Sequence, residues 1–470
     1  MMTKLPVATL ALLVFTNLCS LSVHAQHITV EKTTIPLASI DKTISADLFP
    51  INFLLGDSNY HSMVSASDGN LYFSVDTHNI EYACRIYKFD PRTEEMTLVA
   101  NMDEVLGEDT AAHVAQGKIH TPFFEDEGKL WFGTHISFYE GDLPGFKSED
   151  RLPYQGGHFM SYDLQTGAFE DLAKTFPGEG IITTAMDTER NVLYGLTWPS
   201  GILVSYDRAE GHPRFWGAVQ DRGEWGQRPH EWDRVCRTLG IAPDGKVYGS
   251  TMDGRIWEYD PTAARRVTYI DGLDLKHLPL SQSAEETLKG EFQYNWRVLE
   301  WNPKTESFWG IQWETTTLFE FQPSTRYLRT VAELRHDAYK GMPRNPEISQ
   351  LGFLLGPQDT IFYLANGPAV AMDGHADVQS TVYLFTFDMA TEKMVNHGPL
   401  ISVDGRRVFF TESLCIGADD RLYTVAWVEV SDPARREEIG QARKTGPVET
   451  EKMVYEVMLV RLPEWKRYVE

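Results

Sequence analysis

The chain has 470 residues and a formal net charge of −24. That balance argues against nucleic acid or an anionic membrane as partner, since either needs a basic face. With 12 Trp, 20 Tyr and 24 Phe but only four Cys, the core must hold by buried aromatic area and not by a disulfide scaffold.

The first residues, "MMTKLPVATLALLVFTNLCSLSVHAQ", give a lysine, an apolar run and the small-x-small pattern Val23-His24-Ala25. This is the layout of a secretory leader over residues 1–25, so a secreted or periplasmic protein starting near Gln26 is expected. The "TNL" ahead of Cys19 lacks the small residue a lipoprotein signal needs. No later run reaches the length of about 18 apolar residues that would span a membrane. Only Cys84, Cys236 and Cys415 follow the leader, an odd number for a secreted framework. Within residues 26–50, the stretch "HITVEKTTIPL" (His27 to Leu37) is expected to supply an outer strand that closes the fold on itself.

From residue 51 onward one plan recurs: a short strand, an Asp/Glu/Gly turn, and a second strand carrying an aromatic. It is clearest in "YHSMVSASDGNLYFSV" from Tyr60, "IHTPFFEDEGKLWFGT" from Ile119 and "RTLGIAPDGKVYGST" from Arg237. Looser copies begin at Thr183, Arg297, Ser349 and Thr411, giving seven. Most are followed by a third strand ending in an aromatic and a turn, as in "RIYKFDPRTEEMTLV" and "RIWEYDPTAARRVTYI". Units recurring about every 50 to 65 residues, each too small to bury both faces, predict an all-β, seven-bladed β-propeller over 51–470, acting as a monomer. The stretches 211–232, 274–293 and 428–453 interrupt the plan and are expected to be loops, where function concentrates.

In a propeller the first strand of each blade lines the channel, so equivalent positions can be read off the repeat. Eight residues before the turn glycine stand His61, His120 and Arg237, and the other copies supply Thr183, Arg297, Ser349 or Gln350, and Glu412. Second strands end on the same face with His78, His135, Trp198, Gln312, Trp313, Asn366 and Trp427, and His158 opens the third strand of the second unit. Two readings follow. In one, Arg237 and Arg297 pair with Glu412 or Asp233 and plug the channel. In the other, the ring binds a ligand: histidines exchange protons near neutral pH, arginines grip carboxylates with a planar fork, and tryptophans stack on sugar rings. Together these suit β-elimination on a uronic-acid polysaccharide, an anionic partner, with no cofactor required for catalysis.

A histidine opening an inner strand, a second ending its neighbour and an arginine across the channel resemble the propeller-type ulvan lyases. The resemblance implies that His120 and His135 are the catalytic pair and that Arg237 or Arg297 neutralises the substrate carboxylate. On the mapped ring, substrate contacts are expected from His61, His158, Trp198, Trp313 and Glu412, and the resemblance adds Tyr139 and Tyr194 as candidates for a further tyrosine. Finally it implies a structural zinc, for which His212, His230 and Cys236 are candidates, with His277 further on; surface histidines and a buried free thiol are the alternative. Two other readings stay open: a non-catalytic carbohydrate-binding propeller, and a metal-dependent enzyme resembling virginiamycin B lyase or the gluconolactonases, which would gather carboxylates around a divalent ion.

Overall fold

A computed structural model describes residues 42–137, 154–224, 233–263, 267–278, 293–340, 351–369, 380–443 and 454–469. The chain divides into two compact units, Met1–Pro36 and Leu37–Glu470. The first, with the expected leader and most of the stretch from His27 to Leu37, lies outside the described residues, and the second holds every described element.

That unit is almost entirely β. Five separate sheets have four strands each, and in each the strands pair with their chain neighbours in order. Their inner strands are Met63–Ser65, Phe124–Asp126, Gly180–Asp187, Gly240–Ile241 and Trp296–Asn302. A nine-stranded sheet holds the rest. It is made of an antiparallel run from Phe353–Leu355 to Lys393–Ser402, and a second run from Val408–Thr411 and Cys415–Ile416 through Arg421–Glu429 to Tyr455–Glu464. The strand Ile44–Pro50 joins the two runs, antiparallel to Tyr455–Glu464 and parallel to Lys393–Ser402. Ile44–Pro50 lies within the 26–50 segment expected to supply an outer strand, whereas the stretch from His27 to Leu37 lies outside the described residues.

Local chemistry explains the turns. Third strands end in aspartates whose carboxylates accept backbone N–H groups two or three residues on: Asp90 from Arg92, Asp163 from Gln165 and Thr166, Asp207 from Ala209, Asp260 from Thr262, and Asp388 from Ala390 and Thr391. This is the Asx-turn preference of aspartate. Between first and second strands, Gly69, Gly128 and Gly245 have φ of 83°, 73° and 85°, a left-handed conformation that favours glycine.

Inner strands of successive sheets lie side by side in chain order through much of the unit, and Cys415–Ile416 neighbours Met63–Ser65. Hydrogen bonds stitch the same levels together: Ile119 N–H to Asp76, Ile181 N–H to Thr134, Thr238 Oγ1 to the Arg297 carbonyl, Leu351 N–H to Glu412, and His61 N–H to the Glu412 carbonyl. The arrangement is consistent with a β-propeller. Apolar clusters fill the layers between sheets, with Trp257, Trp296 and Trp309 almost wholly buried. All three described cysteines are free and buried, so burial alone holds the fold.

Two expected loops contain regular structure. His212–Ala218 is the outer strand of the third sheet. Pro433–Arg443 is a helix, with Asp432 accepting the Ala434 N–H at its start in the manner of an N-cap. Its terminal Arg443 donates to the carbonyls of Leu54 and Gly56, so the helix braces the loop that carries Asp57.

Candidate active site

The ends of the inner strands bring together residues distant in sequence. His120 and His135 face each other across the hairpin of the second sheet, with ring centroids 5.9 Å apart at 72°. The Lys118–His135 bridge between their strands sets this register. Trp198, ending the second strand of the third sheet, stands edge-on to His135 at 5.7 Å. Gly180 makes room for that imidazole, since a Cβ there would come within 2.2 Å of His135 Nδ1. Tyr60 lies flat on His120 at 4.7 Å and 9°.

The arginines occupy one wall. Arg234, Arg237 and Arg297 all lie over the Trp313 ring, at 4.9, 5.4 and 4.3 Å. Arg237 forks onto Glu224 through two contacts of 3.0 Å and also donates to the Val235 carbonyl. Arg297 donates to Glu412 at 3.1 Å, and the second Glu412 oxygen accepts the Leu351 N–H. Arg237, Arg297 and Glu412 are at most 5% exposed. The anticipated pairing of Arg297 with Glu412 is present. Arg237, however, takes Glu224 and not Asp233, which instead pairs with Arg222.

Electrostatics ties the two walls into one site. Burial, then the charges of Arg237, Arg297, His135 and Lys118, hold His120 well below the ordinary imidazole range. Burial, then Lys118, Arg237 and His78, do the same for His135. His61 is pushed down to about 4 by burial and Arg297. Its backbone sits at φ 69°, a conformation that costs a non-glycine residue and that clusters at functional sites. Among the described residues, Nδ1 of His61 and of His120 have no hydrogen-bond partner. Burial and the neighbouring cations thus disfavour the protonated form of all three imidazoles.

Several participants were not legible in the repeat. Lys118, fully buried, lies 5.7 Å from the Tyr60 ring centroid. Asp76 takes the Ile119 N–H and the Ser74 hydroxyl on one oxygen, and burial raises it to about 8. Glu224 comes from the segment expected to be a loop. Tyr60 adjoins His61, and Lys118 stands two residues before His120 and bridges His135 through its backbone.

Other expected site residues lie elsewhere. His158 is buried, with Nδ1 at 2.9 Å from Asp171 and Nε2 at 3.2 Å from Glu108. Both nitrogens are taken by carboxylates of the protein itself, which tie its strand to Asp171 on the next strand and to Glu108. Burial alone would lower its pKa, but the bonds to Asp171 and Glu108 outweigh that and raise it. Tyr194 packs on Tyr259 at 5.8 Å within the largest apolar cluster and is a core residue. Of the zinc candidates, His212 is exposed beside Glu210 on an outer strand, whereas Cys236 is fully buried with its thiol directed at the Thr238 carbonyl. No group of three or more His, Cys, Asp or Glu side chains among the described residues is placed to hold a metal. Tyr139, His230, Ser349 and Gln350, and the side chain of His277, fall outside the described residues.

No family model matches this chain, and no curated protein does. Among solved structures, the chain is similar to the extracellular domain of a protein assigned as a one-component system, BT4673 of B. thetaiotaomicron, at 11% identity and a TM-score of 0.48 over 88% of this chain and 39% of that one. It is also similar to a protein of Bacteroides fragilis NCTC 9343 assigned as a 6-phosphogluconolactonase, at 12% identity and 0.48 over 79% and 94%. An oligogalacturonate lyase in complex with manganese matches at 11% and 0.46 over 90% and 97%. At that distance neither activity nor substrate passes from those proteins to this chain.

Proposed function

We propose that the chain is an exported, seven-bladed β-propeller that cleaves a uronic-acid-containing, ulvan-like polysaccharide by β-elimination. The observation that carries this reading is the buried pair His120 and His135, 5.9 Å apart, facing Arg237 and Arg297 on the Trp313 ring. Ion pairs with Glu224 and Glu412 account for the burial of the arginines, but not for two buried imidazoles set opposite them.

The chemistry follows from the charges. A uronate carboxylate entering beside the arginines meets planar donors and has its charge neutralised, which acidifies the C5 proton and stabilises the enolate-like intermediate. A neutral imidazole, already deprotonated at the ring nitrogen it uses, removes that proton. The electron pair forms the C4–C5 double bond as the C4–O4 bond breaks. The imidazolium so formed is the proton source for the departing O4, directly or through the second imidazole. Trp198 and Trp313 supply the faces on which sugar rings stack.

The test is ultraviolet absorbance of the unsaturated uronate when purified protein meets a panel of uronate-containing polymers. New absorbance that disappears in His120→Ala, with polymer binding retained, supports the elimination. Binding without absorbance by the wild type would instead make the protein a carbohydrate-binding propeller.

A further inference from the structure

Three guanidiniums share the Trp313 ring, and they differ in access. The Arg237 and Arg297 side chains are 3% and 5% exposed and are held by the carboxylates of Glu224 and Glu412. Arg234 is 27% exposed and lies 3.9 Å from Glu224 Oε1, beyond hydrogen-bond reach. Both Glu224 oxygens are engaged elsewhere: each accepts Arg237 at 3.0 Å, and one also takes the Val235 N–H at 3.0 Å. The carboxylate therefore belongs to the buried arginine first, and the outer arginine is the one that a ligand in solution meets.

The backbone that carries Arg234 is pinned on both sides. The Asp233 N–H donates to the Gly223 carbonyl at 3.2 Å, the Arg234 N–H to Met252 Sδ at 3.3 Å, and the Val235 N–H to Glu224. The Arg234 guanidinium carbon sits 4.9 Å from the Trp313 centroid, and contact with an aromatic ring positions a cation without consuming its N–H donors. Backbone and side chain are thus in place before binding, which lowers the entropy lost when an arginine meets an anion. On a chain of net charge −24, such a cation stands out as a point of attraction for an acidic polymer.

We propose that Arg234 is an outer anion subsite: Arg237 and Arg297 serve the carboxylate of the reacting sugar, and Arg234 binds the carboxylate or sulfate ester of a neighbouring sugar. The site then selects polymers in which acidic groups follow one another. This rests on the uronate-polymer reading for the ligand, and it adds a residue and a selectivity that the reading does not assign. Arg237 and Arg297 belong to the reacting centre because their charges act on His120. Arg234, over the same ring but exposed, stands where that wall meets solvent. A guanidinium donates to either oxyanion through a planar two-pronged contact, so both are within its chemistry.

Binding, read by isothermal titration calorimetry at one salt concentration, tests the subsite apart from turnover. The probes are unsulfated chondroitin, in which each uronate has a neutral neighbour, chondroitin sulfate, in which that neighbour carries a sulfate ester, and oligogalacturonate, in which it carries a carboxylate. Arg234→Gln should weaken binding of chondroitin sulfate, of oligogalacturonate or of both by about tenfold, the size of one charge-assisted hydrogen bond. Unsulfated chondroitin should bind as before. A loss confined to one acidic probe supports the subsite and identifies its anion as sulfate or carboxylate. Arg234→Lys should recover part of the loss, which a folding defect would not allow. Arg92→Gln, removing a 76% exposed arginine paired with Asp90, controls for charge and should change nothing. Unaltered binding of all three probes by Arg234→Gln would overturn the subsite. So would an equal loss on all three, which would put Arg234 in the wall for the reacting carboxylate, and so would a wild type that binds none of them. Arg234-dependent binding with no ultraviolet absorbance from any polymer would bring down the elimination reading and leave the subsite standing.

Discussion

Glu412→Gln isolates what the buried arginine is for. Arg297 and Glu412 are 5% and 2% exposed and 3.1 Å apart, so the substitution leaves a guanidinium buried without its counter-charge while keeping the shape and an acceptor for the Leu351 N–H. Removing one partner of such a pair costs about 3–5 kcal/mol. Unfolding entropy of roughly 2.1 cal/mol/K per residue over about 430 residues turns that into a fall of about 3–6 °C in thermal midpoint. If Arg297 only plugs the fold, a soluble uronate will not change the deficit. If it receives the substrate carboxylate, the ligand restores the missing charge, and glucuronate or a short uronate oligomer should stabilise Glu412→Gln more than the wild type. Differential scanning fluorimetry across a uronate titration, with a neutral sugar as control, reads both effects. A drop below about 1 °C, or equal ligand shifts in the two proteins, would refute the reasoning.

Gly180→Ala places a methyl where His135 Nδ1 now sits, 2.2 Å away, so turnover should fall about as far as in His135→Ala, by a hundredfold or more, with the circular dichroism of a folded β protein retained. Arg297→Lys keeps a charge but loses the fork, and its KM for the uronate polymer should rise clearly; an unchanged KM would exclude planar carboxylate recognition there. Tyr363, fully buried beside Glu412 and Arg297, has a hydroxyl with no partner among the described residues, so Tyr363→Phe should leave the thermal midpoint unchanged or raised by about 1 kcal/mol of stability. His61→Asn suits the left-handed backbone and removes a group titrating at about 4 when folded. Between that value and about 6.5 the unfolded chain binds a proton the folded one does not, so wild-type stability relative to His61→Asn should rise with pH through this window, by no more than about 1.4 kcal/mol per unit. A difference that stays flat with pH, in urea titrations, would count against a buried neutral His61.

The strand-turn-strand plan was legible because its signals are local. Glycine at the left-handed turn position and aspartate closing the third strand act over two or three residues, so they show in any copy. Counting back from the turn glycine reached His61, His120 and Arg237 because those three copies have the same length between that position and the glycine. The closing strand was legible only as a need: nothing in Ile44–Pro50 states that it pairs with Tyr455–Glu464, more than 400 residues away. The helix Pro433–Arg443 was hidden for a different reason, since only Ile439 in it is buried and it lacks the apolar stripe by which a docked helix is recognised.

The misplaced site residues show where alternation stops being enough. Tyr194 shares a face with Trp198, four residues on, but at about 3.3 Å per residue that separation is roughly 13 Å. The tryptophan therefore reaches the mouth while the tyrosine is sealed between sheets against Tyr259. His158 starts its strand as expected, yet Glu108 and Asp171, neither in an equivalent position of the repeat, claim both its nitrogens. Glu224 and Asp57 likewise come from segments outside the repeat, and they decide which arginine is held and which histidine is oriented. The repeat thus delivers imidazoles and guanidiniums to one mouth, and carboxylates divide them: Glu224, from an irregular segment, and Glu412, from the repeat itself, hold Arg237 and Arg297, while Asp57 orients His78; His120 and His135, pushed below the ordinary imidazole range by burial and the cations around them, are the pair to which the proposed elimination gives the proton from carbon.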